Sequence, residues 1–285
     1  MPEQPPITGA TRVAAVIGHP VRHSLSPTLH NAAFAATGLD WRYVALEVGP
    51  DDGARAIDAV RTLGIGGLSV TMPHKDAVVG AVDRTTAAVD ALGAANTIFW
   101  DGDRVVADNT DGDGLVNSLA DEVGARLAGL HVAVVGAGGA ARAIIDAVGR
   151  RGAERISVIN RSAERGALAA AVHPAAYLAD ATVIRTADVV INATSVGMGA
   201  GPDDDPSAVL PFDPALLSAD HLVADIVYKP LVTPLLAAAA EIGCTTVGGV
   251  GMLLHQAALQ FQRWTGVDAP LDAMRASVAH LLDES

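Results

Sequence analysis

A lysine stands just past an apolar, glycine-punctuated run, where LGIGGL leads into SVTMPHK, Ser69 to Lys75. The run reads as a buried strand, and Pro73, with no N–H to donate, ends its ladder. Lys75 is then either a solvated charge at the start of a short helix or a reactive amine at the C-terminal edge of a sheet. Other polar residues sit at similar ends. Ser24 and Ser26 lie in PVRHSLSP after the run VAAVIG, Asn96 in GAANT and Asp111 in DNTDGDG. Alone, each reads as a cap or turn residue. Together, hydroxyls, an amide, an acid and an amine suit a small polyhydroxylated anion or a neutral sugar-like ring.

A second constellation points to a cofactor. GAGGAAR, Gly136 to Arg142, follows the apolar strand VAVV and opens an apolar-periodic helix. In that context Gly136 permits a tight turn, Gly138 lets backbone approach a pyrophosphate, and Ala141 keeps helix and strand close. The diphosphate would rest on the helix N-terminus, where N–H groups and the dipole favour anions. The next strand ends in Asn160-Arg161-Ser162, with Arg165 one turn on. No carboxylate at that tip repels a 2′-phosphate, and two guanidiniums can bind one, which favours NADP over NAD.

Several chemistries are disfavoured. His19 and His23 are four apart, but Pro20 lies between them, so no helical HxxxH face exists and no metal is expected. His74 could act as an acid beside Lys75, but is expected to point away. No GxSxG or triad ordering occurs. Cys244 is the only cysteine, so neither an intrachain disulfide nor a Cys-rich zinc site can form. The formal net charge of −13 repels phosphate backbones and argues against nucleic acid. The N-terminal MPEQPPITGATR lacks an apolar h-region behind basic residues, and no apolar run is long enough to span a bilayer. The expectation is a cytoplasmic globular protein without a membrane partner.

These groups need elements to hold them, and 285 residues suffice for two domains. VAAVIG, RYVALEV and the LGIGGLSV run read as strands; SPTLHNAAFAATG and DDGARAIDAVRTLG read as helices. In the first helix Ser26 is the candidate N-cap, Pro27 the first helical residue and Gly38 the stop. Asp101-Gly102 between NTIFW and RVVADN signals a hairpin. Alternating strand and helix argues for an α/β fold with a mostly parallel, helix-covered sheet. From about Asp113 the alternation restarts, through HVAVV, RISVIN, ADVVINATSVGMG, HLVADIVY and TTVGG, in the order of a doubly wound dinucleotide-binding domain. The last two helices, within 250–285, either cap that domain or return to the first.

The ordered set of motifs resembles the shikimate dehydrogenase family. PVRHSLSPTLHN looks like its substrate loop, SVTMPHK like its strand–lysine motif, and GAANT with DNTDGDG like the next two. GAGGAAR and NRSAER are similar to its NADP motifs, and INATSVGM, DIVYKPLVTPLL and GGVGMLLHQAALQF to its later signatures. The similarity runs from about Val13 to Pro270. It implies NADPH-dependent, reversible reduction of 3-dehydroshikimate to shikimate in aromatic amino acid (chorismate) biosynthesis. Lys75 and Asp111 match the catalytic pair. Ser24, Ser26, Thr71, Asn96, Tyr228 and Gln256 match the shikimate contacts. Gly136, Ala137, Gly138, Gly139, Ala140, Asn160, Arg161, Ser162, Arg165, Thr194, Ile226 and Gly249 fall at cofactor positions. The implied architecture is an N-terminal α/β substrate domain (1–112, with 250–285 returning to it) and a Rossmann NADP domain (113–249). A homodimer stays open. One departure stands out: Ser69 takes the place where the family usually has asparagine. Quinate as a further substrate, and a non-catalytic NADP sensor, are the alternative readings.

Overall fold

The apolar runs form two separate six-stranded sheets. The computed structural model describes residues 4–200, 204 and 209–283, so the extreme ends of the expected domain ranges, 1–3 and 284–285, lie outside it. The chain divides into two compact units, residues 1–110 with 256–281, and residues 111–255 with 282–285.

In the first unit the strands are β1 Arg12–Gly18, β2 Trp41–Glu47, β3 Gly67–Val70, β4 Arg84–Thr85, β5 Thr97–Asp101 and β6 Arg104–Asp108. Their order is β2-β1-β3-β5-β6-β4. β1 pairs in parallel with β2 and β3, and β4 with β6, whereas β3–β5 and β5–β6 are antiparallel. The sheet is thus mostly parallel, as expected, with antiparallel pairing confined to β5, where the expected β5–β6 hairpin turns the chain back in place of a helical crossover. Gly102 turns that hairpin with φ 63°, a conformation that suits glycine.

The helices of this unit are α1 Ser26–Thr37, α2 Gly53–Leu63 and α3 Ala87–Leu92. Gly38 ends α1 in the left-handed conformation, φ 68°. Ser26 is not the N-cap of α1: Leu25 holds that position and Ser26 is already helical. No α-helix begins at Lys75 either. The chain there makes turns, followed by a short 3₁₀ helix over Val79–Ala81. Ile17, Leu68, Val70, Ile98 and Ala107 of the sheet pack with Ile57 and Val60 of α2. The burial of such side chains is the main source of stability.

The second unit begins with α4 Asp111–Val123 and continues β7 His131–Val135, α5 Gly139–Arg150, β8 Arg155–Ile159, α6 Ala163–Ala170 and β9 Ala176–Ala179. It goes on through β10 Val189–Asn192, β11 Leu222–Asp225, α7 Pro234–Ile242 and β12 Thr245–Val247. All its strand pairs are parallel, in the order β12-β11-β10-β7-β8-β9. That is the doubly wound order, with its switch point between β7 and β10.

The last helices are α8 Gly249–Thr265 and α9 Leu271–Asp283. The second half of α8 belongs to the first unit. Phe261 packs on Phe34 with ring centroids 5.4 Å apart, and Trp264 Nε1 donates to the Ile98 carbonyl at 3.0 Å. A Cβ on Gly67 would lie 2.5 Å from the Trp264 ring, so β3 needs glycine where the helix crosses it. The returning helices of the resemblance are thus present.

Candidate functional site

In the first unit the backbone ties the loops after β1 and β3 side by side. Thr71 N–H donates to the Ile17 carbonyl at 3.0 Å, and His19 N–H to the Met72 carbonyl at 2.9 Å. A Cβ on Gly18 would meet Thr71 Cγ2 at 2.5 Å, so glycine is required for the two loops to lie this close. Ser24 and Ser26 sit on the first loop, linked by a Ser26 N–H to Ser24 Oγ bond of 3.2 Å. Ser24 is half-buried and Ser26 buried. Met72 is 75% exposed, so the buried part of the strand stops before Pro73.

Lys75 follows on the second loop. Its carbonyl accepts Ala95 N–H at 2.9 Å, which fixes the half-buried lysine next in space to the segment holding Asn96. His74 turns inward instead, fully buried, with Nε2 3.1 Å from the Val48 carbonyl. It points away from solvent chemistry, as expected.

Asn96 is 2% exposed and its amide orientation is set by its partners. Oδ1 accepts Thr110 N–H at 2.9 Å and Thr97 Oγ1–H at 2.6 Å, so Nδ2 must be the donor that reaches Thr110 Oγ1 at 3.0 Å. Thr110 in turn donates to the Gln256 carbonyl at 3.1 Å. One threonine therefore aims Asn96 and holds the start of the returning helix segment. Its place in DNTDGDG gives no sign of this, because a threonine between an asparagine and an aspartate reads as a turn residue. Asn109 Nδ2, bonded to the Ala94 carbonyl at 3.0 Å, anchors the same loop.

Asp111 opens α4 in the second unit and is buried. An acid there is favoured by the helix dipole. The glycine after it has a steric reason: a Cβ on Gly112 would lie 2.0 Å from the Ala143 carbonyl of α5.

The glycine turn of the second unit lies at the switch point. Gly136 has φ 124°, and a Cβ there would come 2.9 Å from the Ala193 carbonyl beyond β10. Gly136 N–H also donates to the Ile159 carbonyl at 2.8 Å, joining the turn to the tip of β8. Nothing lies within 4 Å of a Cβ placed on Gly138 or Gly139. Ala137 and Ala140 are half-buried around them. Gly138 caps α5 without any side-chain cap, which leaves the N-terminal N–H groups of the helix aimed at open space. This cradle fits a diphosphate.

At the β8 tip, Asn160 Nδ2 donates to the Ser162 carbonyl at 2.8 Å, and Ser162 caps α6 by accepting Arg165 N–H at 3.3 Å. Arg161 and Arg165 are both exposed, so the guanidiniums are available to a phosphate group. Gly249 lies against Ile226: its Cβ would fall 2.3 Å from the Ile226 carbonyl. Thr194 is bonded through N–H and Oγ1 to Asn192 Oδ1 at 3.1 and 2.7 Å. Tyr228 is half-buried, and burial pushes its phenol pKa up. Among the described residues no cluster of His, Cys, Asp and Glu could hold a metal, and no helix is long and apolar enough to cross a membrane.

A doubly wound sheet with an open glycine cradle and arginines at the second strand tip defines a dinucleotide-binding protein. Three family models match the chain: the shikimate dehydrogenase substrate binding domain over residues 16–98, shikimate/quinate 5-dehydrogenase over 118–198, and the shikimate 5′-dehydrogenase C-terminal domain over 249–279. A protein of Geobacter metallireducens named shikimate dehydrogenase (NADP(+)) is 41% identical over 284 residues, 95% of this chain and 97% of that one. A solved shikimate dehydrogenase in complex with NADP⁺ superposes with a TM-score of 0.90 at 33% identity, covering 99% of both chains. Quinate dehydrogenase from Corynebacterium glutamicum, in complex with NAD, gives 0.84 at 31% identity over 95% of this chain and 99% of that one. The chain belongs to the shikimate dehydrogenase family.

Proposed function

We propose that the protein catalyses the NADPH-dependent, reversible reduction of 3-dehydroshikimate to shikimate, in the cytoplasm, as a step of aromatic amino acid biosynthesis. The first unit is the substrate domain, with Ser24, Ser26, Thr71, Asn96 and Gln256 as substrate contacts, and Tyr228 is a further substrate contact. The second unit is the NADP domain, with the Gly136–Ala140 cradle, the Asn160–Arg165 tip, Thr194, Ile226 and Gly249 as its contacts. The observation that supports the reading is the Lys75 carbonyl to Ala95 N–H bond, because it brings the backbone of the half-buried Lys75 next to the segment that carries the buried Asn96. A polyhydroxylated ring needs such a row of donors and acceptors.

When bound, NADPH supplies the hydride. Hydride transfer to a ketone leaves charge on oxygen, and a positioned acid must meet it. Lys75 donates the proton or stabilises the developing alkoxide, and Asp111 is its acid–base partner. Shikimate mixed with NADP⁺ and the protein should produce reduced nicotinamide, faster than NAD⁺ or quinate does. Higher kcat/KM on quinate would move the protein to the quinate branch. No turnover of either would make it an NADP sensor.

A further inference from the structure

Behind the Asn96 carbonyl the first unit holds buried polar side chains that the expected site does not account for. Gln260 on α8 is 2% exposed and Ser69 on β3 is 5% exposed. Gln260 Nε2 donates to the Asn96 carbonyl at 3.2 Å. A carbonyl only accepts, so the amide orientation is set and Oε1 faces Ser69. Ser69 Oγ–H then donates to Gln260 Oε1 at 2.6 Å. With that proton committed, Ser69 Oγ accepts from the Tyr43 hydroxyl at 2.6 Å. The chain of bonds from Tyr43 through Ser69 and Gln260 runs in one direction and ends on the backbone of Asn96.

We propose that Gln260 is a positioning residue for the substrate pocket and that Ser69 is its coupled partner, the helix delivering an amide that the family's asparagine would carry on the strand. This rests on shikimate being the substrate. The packing explains why Ser69 is short. Its oxygen already meets Tyr43 and Gln260 at 2.6 Å each, so a longer side chain must displace one of them. Removing the Gln260 amide strips the Asn96 carbonyl of a donor, leaving Val70 N–H at 2.8 Å, and deprives Ser69 of its acceptor. The strain falls on the residue whose side chain Thr97 and Thr110 aim.

The test is a cycle of Gln260→Ala, Ser69→Asn and the double variant, read by the KM for shikimate, the KM for NADP⁺, kcat and the melting temperature. Gln260→Ala is expected to raise the shikimate KM about tenfold while the NADP⁺ KM stays level. Ser69→Asn alone should be at least as harmful. The double variant should return the shikimate KM to within about threefold of wild type, because asparagine then fills the vacated space and restores an amide. Should Gln260→Ala not fold, Gln260→Met keeps the bulk without the amide and should show the same rise. An unchanged shikimate KM in Gln260→Ala or Gln260→Met, or a double variant no better than Ser69→Asn, overturns the proposal. A wild type that does not oxidise shikimate overturns the functional reading instead, before any substitution is made.

Discussion

Asn192 Nδ2 donates to Asp225 Oδ1 at 2.9 Å, joining the ends of β10 and β11 where neither side chain reaches solvent. Asp225 also accepts Val227 N–H at 3.0 Å and Thr233 Oγ1–H at 2.7 Å, while Asn192 Oδ1 holds Thr194. One amide and one carboxylate thus fix the loops that carry Thr194, Ile226 and Tyr228.

Asp225→Asn replaces one accepting oxygen by a donor and should cost about 1–3 kcal/mol of stability at neutral pH, together with a higher KM for NADP⁺. Burial pushes the Asp225 carboxyl pKa up, with the bonds from Val227, Thr233 and Asn192 only partly offsetting it. A carboxyl raised on folding binds its proton more tightly in the native state. Its stability contribution is therefore favourable in acid and is lost as pH rises from the unfolded value of 3.8 through the raised one. The stability advantage of wild type over Asp225→Asn should grow on acidification across that window. Denaturant melts at several pH values would show it, and an advantage that shrinks in acid contradicts the assignment.

His30 should make the opposite contribution. It is fully buried, stacked on Tyr43 with centroids 4.5 Å apart, and burial holds its pKa down to about 3. A histidine lowered on folding stabilises the native state above its unfolded pKa of 6.5, and that stability drains away as pH falls toward 3. His30→Phe, which keeps the aromatic packing against Tyr43 and Trp264, should flatten the loss of stability across this range. An unaltered acid slope in the variant would show that another group dominates.

Cofactor choice should rest on the β8 tip. Each charge-assisted bond to a 2′-phosphate is worth roughly 1.5–3 kcal/mol. Arg161→Ala should weaken NADP⁺ binding by about ten- to a hundredfold and leave NAD⁺ nearly unchanged. Titration calorimetry with both cofactors distinguishes this from a general loss, since equal weakening would mean that Arg161 does not read the phosphate.

The glycine turn was legible in the sequence because its steric demands are local: Gly136 must adopt φ 124°, and the strand and helix flanking it have clear periods. The order of the second sheet followed from the same alternation. The mixed first sheet was less legible, since β4 is two residues long and forms only through its pairing with β6. Ser26 had the right chemistry for an N-cap, but α1 begins one residue early, with Leu25 in the cap. Thr110, Tyr43 and Gln260 were missed for a different reason. Their roles arise from hydrogen bonds to residues far away in the chain, Asn96 to Gln260 among them, and no local pattern encodes such partners.

The central claim is that Lys75 takes part in the proton step, and steady-state kinetics of Lys75→Ala tests it most directly. A lysine that only anchors substrate would leave kcat largely intact and raise KM. The account expects kcat to fall by roughly 10²–10⁴ with little change in KM, and a smaller loss for Lys75→His, which still transfers a proton. Adding Asp111→Asn should cost less than the product of the two single losses, as for groups acting as one unit. A Lys75→Ala enzyme with near-normal kcat would contradict the account and return this lysine to an ordinary surface charge.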